Sequence, residues 1–310
     1  MDARVTYPQR AVALVLVVIC VVAMFSSSSS HAPFSLRSPI ALTELLVLGA
    51  GLGIGCYGTL VGIGGGPLIV PVLVLSYGWP ARNVVATALL VVFMNALSGT
   101  LGYSYQRRVD YRGGLKFALA GLPGAVLSGL VHRYFNIRSF DTIFGVFLVG
   151  LAIVCALGAR VVDARDGRTQ GPIGAGERLV EFRDRFGVQY RFGVNDRLGS
   201  TLNFAVGFLV GFLGIGGGVL QVPMLVYLLK YPVHVATATS HFVTMLSCLY
   251  ALAPNVAFGN VRFGEAFWMW TGVVVGAQTG AWLAARLRSQ KIMYLFVALV
   301  MLFGLKLIWS

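Results

Sequence analysis

The amino-acid sequence predicts an all-α polytopic membrane protein built from two inverted repeats, each with a Gly-broken, re-entrant half-helix. Three observations carry this. Of 310 residues, 57% are hydrophobic and only 11% charged, against roughly 25% charged in a soluble domain. The apolar residues come in stretches near the roughly 20 residues that a helix needs to cross the hydrocarbon core. A Gly-rich decapeptide occurs twice at a fixed spacing.

The stretches follow in order. Ala11 to Phe25 is short, preceded by Arg4 and Arg10 and followed by Ser26 to Ser30. It reads as a retained first helix, with a cleaved signal peptide as the alternative, since Ser30-His31-Ala32 resembles a weak cleavage site. Further stretches run over 41–61, 67–77, 83–104, 114–132 and 138–158. They resume over 199–213, 219–229, 233–252, 264–285 and 291–309. The 67–77 and 219–229 stretches are too short to cross alone, and each follows a Gly-rich break. The chain thus divides into a first helix and external linker (1–40), repeat one (41–158), a cytoplasmic polar loop (159–198) and repeat two (199–310).

The interval 159–198 holds eight of the 24 Lys and Arg and six of the 11 Asp and Glu, so it is aqueous. From Glu181 to Asn195 the residues alternate, which predicts a small hairpin turning at Phe186-Gly187. The formal net charge of +13 does not indicate nucleic acid. The cations sit in short clusters between apolar stretches, where topology expects them, and form no stripe with interleaved aromatics. Cys20, Cys56, Cys155 and Cys248 lie in apolar runs without a CxxC pair and read as small hydrophobes. No cofactor or metal site is expected.

The repeat is explicit. Gly62-Ile-Gly-Gly-Gly-Pro-Leu-Ile-Val-Pro71 matches Gly214-Ile-Gly-Gly-Gly-Val-Leu-Gln-Val-Pro223 at an offset of 152. The offset holds onward without a gap. Trp79-Pro80 aligns with Tyr231-Pro232, Ala86-Thr87 with Ala238-Thr239, Gly124-Ala125 with Gly276-Ala277 and Phe144 with Phe296. Cations in short loops suggest opposite orientations for the copies. Arg107, Arg108 and Arg112 face a single Arg262, whereas Arg133 and Arg138 face Arg286, Arg288 and Lys291. Arg4 and Arg10 put the N-terminus in the cytoplasm, and the 159–198 loop then falls on the same side. Inverted repeats with interrupted helices are the pattern of secondary transporters, whose site lies at the repeat interface near the midplane.

Gly64-Gly65-Gly66 and Gly216-Gly217-Gly218 break the helix at little conformational cost, and Pro67 suits the first turn of the next one. A helix start inside the membrane exposes N–H groups that lipid cannot satisfy. An anion can satisfy them. The alternative is close helix packing, the expected role of Gly51/Gly55, Gly58/Gly62, Gly207/Gly211 and Gly272/Gly276. On that reading Gly55→Ala does little. No Lys-Ser/Thr follows either triplet, which excludes a nucleotide P-loop.

Polar side chains sit on the following helices. Thr87, Asn95 and Ser98 share one face. At offset 152 stand Thr239, Ser247 and Tyr250, and the second copy adds Ser240, His241 and Thr244. Gln221 beside its break is a candidate donor, with Asn255 and Gln278 behind it. Interhelical hydrogen bonding is the bland reading of this stripe. His241 either carries a proton or substrate contact, or is a structural histidine. Outside the 159–198 loop the acids are Asp2, Glu44, Asp110, Asp141 and Glu265, all near stretch ends. That leaves no buried carboxylate relay, and an interior without fixed negative charge favours an anion.

At its two Gly-Ile-Gly-Gly-Gly-x-Leu-x-Val-Pro segments the sequence resembles the sulfite exporter TauE/SafE family, over about 43–310. The resemblance implies export or uptake of sulfite, sulfonates or related sulfur-containing anions. The expected partners are such an anion and membrane lipid, with a homodimer allowed and no nucleic acid. The expected location is the inner (plasma) membrane, multi-pass. An anion channel is the alternative, since channels also use half-helices, and a non-transporting anion sensor is a third class. Intramembrane proteolysis is excluded, because Ser98-Gly99 follows Ala96-Leu97 and no His-Glu-x-x-His occurs.

Overall fold

A computed structural model describes residues 42–131, 146, 149–153, 155–157, 176–213, 217–264 and 266–309. The expected first helix, most of the 138–158 stretch, Gly216 and the loop before Gly176 lie outside them. Repeat one contains α1 (Leu42–Val61), α2 (Gly66–Tyr77), α3 (Ala81–Tyr105) and α4 (Tyr111–Val131). Residues 149–153 and 155–157 are also helical. A hairpin of β1 (Arg178–Arg183) and β2 (Gln189–Val194) leads into repeat two. That repeat contains α5 (Asp196–Leu213), α6 (Gly218–Pro223) with a π-helical turn (Met224–Leu228), α7 (Val233–Ala257), α8 (Phe267–Ala284) and α9 (Ser289–Trp309). The architecture is that of an all-α membrane protein. Among the described residues α1, α3 and α7 are long and apolar enough to cross a bilayer.

The short apolar stretches are half-length helices, as their length and Gly-rich starts require. Gly62, Gly64 and Gly65 have φ of +90°, +80° and +79°, a region closed to most residues with a Cβ. There the chain folds back over Gly58, whose carbonyl accepts from the amides of Gly62, Ile63 and Gly64. Pro223 has no amide for the ladder, and the helix widens into its π turn directly after it.

The two copies have matching backbones. α3 and α7 begin and end 152 residues apart. Gly78 and Lys230 both take a φ near +60°, as do Arg107 and Gly259, and these are again pairs at offset 152. One copy fills each left-handed turn with Gly, the other with a long cation.

Packing interlocks the copies. α1 lies along α8, with Gly51 beside Met269 and Gly272, and Gly55 beside Val273. α4 lies along α5, with Gly121 against Asn203 and Gly207, and Gly124 against Phe204 and Phe208. In both pairs contacts advance together, so the helices run parallel. α3 and α7 are equivalents that pack antiparallel. His241, in the first half of α7, meets Gly99 and Tyr103 near the end of α3.

One expectation is overturned. A Cβ on Gly55 would lie 2.6 Å from the Val273 Cα, closer than real contacts allow. Gly55 does pack, but so tightly that an added methyl must part α1 from α8.

Candidate functional site

The two breaks touch. A Cβ on Gly218 would strike the backbone of Ile63, and one on Gly62 would come within 2.9 Å of the Thr237 Cα and the Val222 side chain. Ser240 ties the contact by donating to the Gly62 carbonyl at 2.8 Å. A Cβ on Gly64 would face Thr244 at 3.3 Å and Val92 at 3.4 Å. The first break thus rests on the start of α6 and on one face of α7.

Around this contact lies a buried polar chain. Thr59, a turn before the break, donates to the Asn95 Oδ1 at 3.2 Å. Its hydroxyl is also 3.2 Å from the His241 Nε2. Its carbonyl accepts from the Tyr103 hydroxyl at 2.7 Å, and the Tyr103 ring meets His241 edge-on at 5.7 Å. Thr59, Asn95, Ser240 and His241 are fully buried. Four buried groups here have no hydrogen-bond partner among the described residues: Asn95 Nδ2, Thr244 Oγ1, Gln221 Nε2 and His241 Nδ1. Buried polar groups are normally paired, and Thr100 Oγ1, Gln106 Oε1, Trp270 Nε1 and Gln278 Oε1 are likewise unpaired among the described residues.

The other expected residues stand elsewhere. Thr87 accepts from the amide of Arg262 and Thr239 from that of Asp110, positions that again correspond at offset 152. Both threonines pin the chain just ahead of α8 and α4. Ser98 donates to the Val274 carbonyl at 2.7 Å and accepts from Gln278, joining α3 to α8. Ser247 accepts from Tyr250 on the side toward α4, and Asn255 donates to Ala251 within α7. Gly217 has an ordinary helical φ of −67° and caps α6. Thr59 escapes sequence reading because its repeat partner is Gly211.

No Asp or Glu reaches these groups among the described residues. Glu44 and Asp196 are in first helical turns, and Asp110 belongs to a separate cluster with the hairpin. There Arg178 bonds Asp110 at 2.7 Å and Asp196 at 3.1 Å. Burial disfavours the Arg178 cation, but these carboxylates outweigh it and raise its pKa above the ordinary value. Tyr231 donates to Asp110 at 2.8 Å, and burial together with that carboxylate pushes its pKa well up. Arg108 is buried on Asp184 through Nε at 3.0 Å and Nη2 at 2.9 Å.

Two half-helices meeting inside a bundle of apolar helices give the architecture of a polytopic membrane protein. Comparison with known proteins agrees. The family described as Sulfite exporter TauE/SafE matches residues 3–153 and again 97–307, and the chain belongs to that family. It is 31% identical to the probable membrane transporter protein YunE of Bacillus subtilis over 87% of this chain and 98% of the relative. It is 27% identical to the probable membrane transporter protein MJ0441 of Methanocaldococcus jannaschii over 69% of this chain and 72% of the relative. YjnA of Bacillus subtilis, also named a probable membrane transporter protein, is 24% identical over 83% and 97%. No solved structure matches. The protein is a membrane transporter.

Proposed function

We propose that the chain carries a small oxyanion of the sulfite or organosulfonate class out of the cell, binding it where the two Gly breaks meet. The observation that carries this is three of the unpartnered buried groups, Asn95 Nδ2, Gln221 Nε2 and Thr244 Oγ1, in an interior whose described residues bring no carboxylate. Two are N–H donors and the third a hydroxyl, which suit oxygen atoms bearing negative charge. The start of α2, 12 residues long, adds amides and a partial positive charge. Thr59 and His241 then hold Asn95 in place. Sulfur enters through the family's description alone.

The inverted arrangement is supported by the antiparallel α3 and α7, because a two-fold axis relating antiparallel spanning helices lies in the membrane plane. The Arg-rich hairpin side is then cytoplasmic, in an inner membrane. The repeats are 41–158 and 199–310, the first preceded by 1–40 and the two separated by the polar loop. An inside-negative potential favours anion exit by about 2.3 kcal/mol per charge per 100 mV, so no carboxylate relay is needed.

The test is binding and proteoliposome flux with sulfite, sulfate, thiosulfate, taurine and sulfoacetate. The reading expects saturable, trans-stimulated flux of at least one. Asn95→Leu should weaken binding by about 1.5–3 kcal/mol, roughly 10- to 100-fold. Flux that never saturates indicates a channel. Unchanged binding in Asn95→Leu overturns the site, and dependence on a sodium gradient counts against a drive from the membrane potential, the anion's own gradient or a proton.

A further inference from the structure

We infer that the β1–β2 hairpin is a latch. It holds the pathway closed on its own face of the protein, and it must release for the buried polar groups to be reached from that side. The inference rests on the transporter class and not on the identity of the anion.

The hairpin bonds to the first copy and packs on the second. Arg178 in β1 reaches Asp110, which also accepts from Tyr231 just ahead of α7. Asp184, in the turn between the strands, receives Arg108, whose Nη1 lies 3.4 Å from His234 of α7. Phe192 of β2 packs on Tyr231 at 4.9 Å between centroids. The backbone joins in through the Arg185 amide, which donates to the Gln106 carbonyl at 3.1 Å. Arg185 also stacks over Tyr105 at 3.8 Å. The segment after α3, the segment before α7 and the hairpin are therefore one charged assembly.

The corresponding positions on the opposite face have different chemistry. At offset 152, Asp110 becomes Arg262, Arg108 becomes Asn260 and Tyr231 becomes Trp79. Neutral bonds tie the chain there: Asn83 donates to the Asn260 carbonyl at 2.9 Å, and the Arg262 amide donates to Thr87. The fold makes the ends alike, whereas the side chains make the hairpin end ionic. Buried pairs such as Arg108 with Asp184 tolerate no half-measure, because parting them strands a charge. Such a contact suits two discrete states.

The experiment uses the full chain with its four native cysteines replaced and a reporter, Thr244→Cys, labelled by maleimide from the hairpin side of sealed vesicles. Two perturbations push in opposite directions. Arg178→Gln breaks the pair with Asp110 and should speed labelling at residue 244 several-fold, whereas Arg178→Lys should stay near the parent rate. Tyr105→Cys with Arg185→Cys, oxidised to a disulfide, should slow labelling several-fold, and reductant should restore it. A variant that merely misfolds does not give both results. Equal labelling in the parent, Arg178→Gln and oxidised forms overturns the latch, as does a reporter that never labels from this side. Transport assays enter neither arm, so failure here is separable from failure of the anion reading.

Discussion

Individual backbone positions decide much of this protein. Gly78 and Gly259 sit at φ of +60° and +65°, and a Cβ added at either would meet nothing within 4 Å. Substitution there tests backbone strain without packing. Gly78→Ala and Gly259→Ala should each cost about 1 kcal/mol of stability, read as a lower melting temperature. Their counterparts Lys230 and Arg107 already bear that strain, so Lys230→Gly should be neutral or slightly stabilising. The Gly triplets differ in the same terms. Gly65 has φ +79° and a Cβ there would press Ile54 at 2.9 Å, whereas Gly217 is in ordinary helical conformation. Gly65→Ala should damage folding and transport together, while Gly217→Ala should fold normally and Gly217→Val should lose transport through bulk alone. Normal membrane levels and normal transport in Gly65→Ala would show that the break tolerates a Cβ.

Elements hold together by different physics according to their surroundings. α1 and α8 have no water to expel from between them, so close glycine contact supplies the packing. Gly55→Ala should therefore lower the melting temperature markedly, contrary to the mild effect expected from sequence. The hairpin is the opposite case. Two strands alone are marginal in water, and this pair is held by Arg108, Arg178 and the turn at Asp184, which accepts from the amides of Phe186 and Val188 at 2.9 and 2.8 Å. Partial burial pushes the Asp196 carboxyl up, but hydrogen bonds from Lys116 and Arg178 win and lower its pKa. A carboxyl depressed in the folded state stabilises above its unfolded pKa, about 3.9 for Asp. It loses that contribution as pH falls through the folded value. Tryptic cleavage within 178–197 should thus be flat across neutral pH, and loosening judged by hydrogen exchange should begin only below about pH 4.

At the scale of the whole molecule the arrangement predicts sidedness. With α3 and α7 antiparallel and the copies interlocked, the hairpin and the C-terminal end of α9 fall on opposite faces. Cysteines replacing Arg178 and Ser310 in a Cys-free background should label from opposite sides of the membrane. Labelling of both from one side would sink the inverted arrangement, and with it the midplane site.

The sequence alone determined the class, the described helices and the duplication, because each is written in local order. Apolar length decides a span, a Gly triplet stops a helix, and an unbroken offset of 152 reveals the copy. The alternation from Glu181 onward likewise foretold a hairpin turning at Phe186-Gly187, and in the fold that turn is bounded by Arg183 and Gln189. Only the tertiary structure decided which polar residues meet. Thr87, Ser98 and Asn95 share a helix face in sequence, yet two of them bond to other segments' backbones and only Asn95 joins Thr59 and His241. In a dry interior every polar group seeks some partner, so polarity marks that a partner exists but not which one. That choice belongs to the crossing of helices far apart in the chain, and so does the pairing of Arg108 with Asp184 across 76 residues.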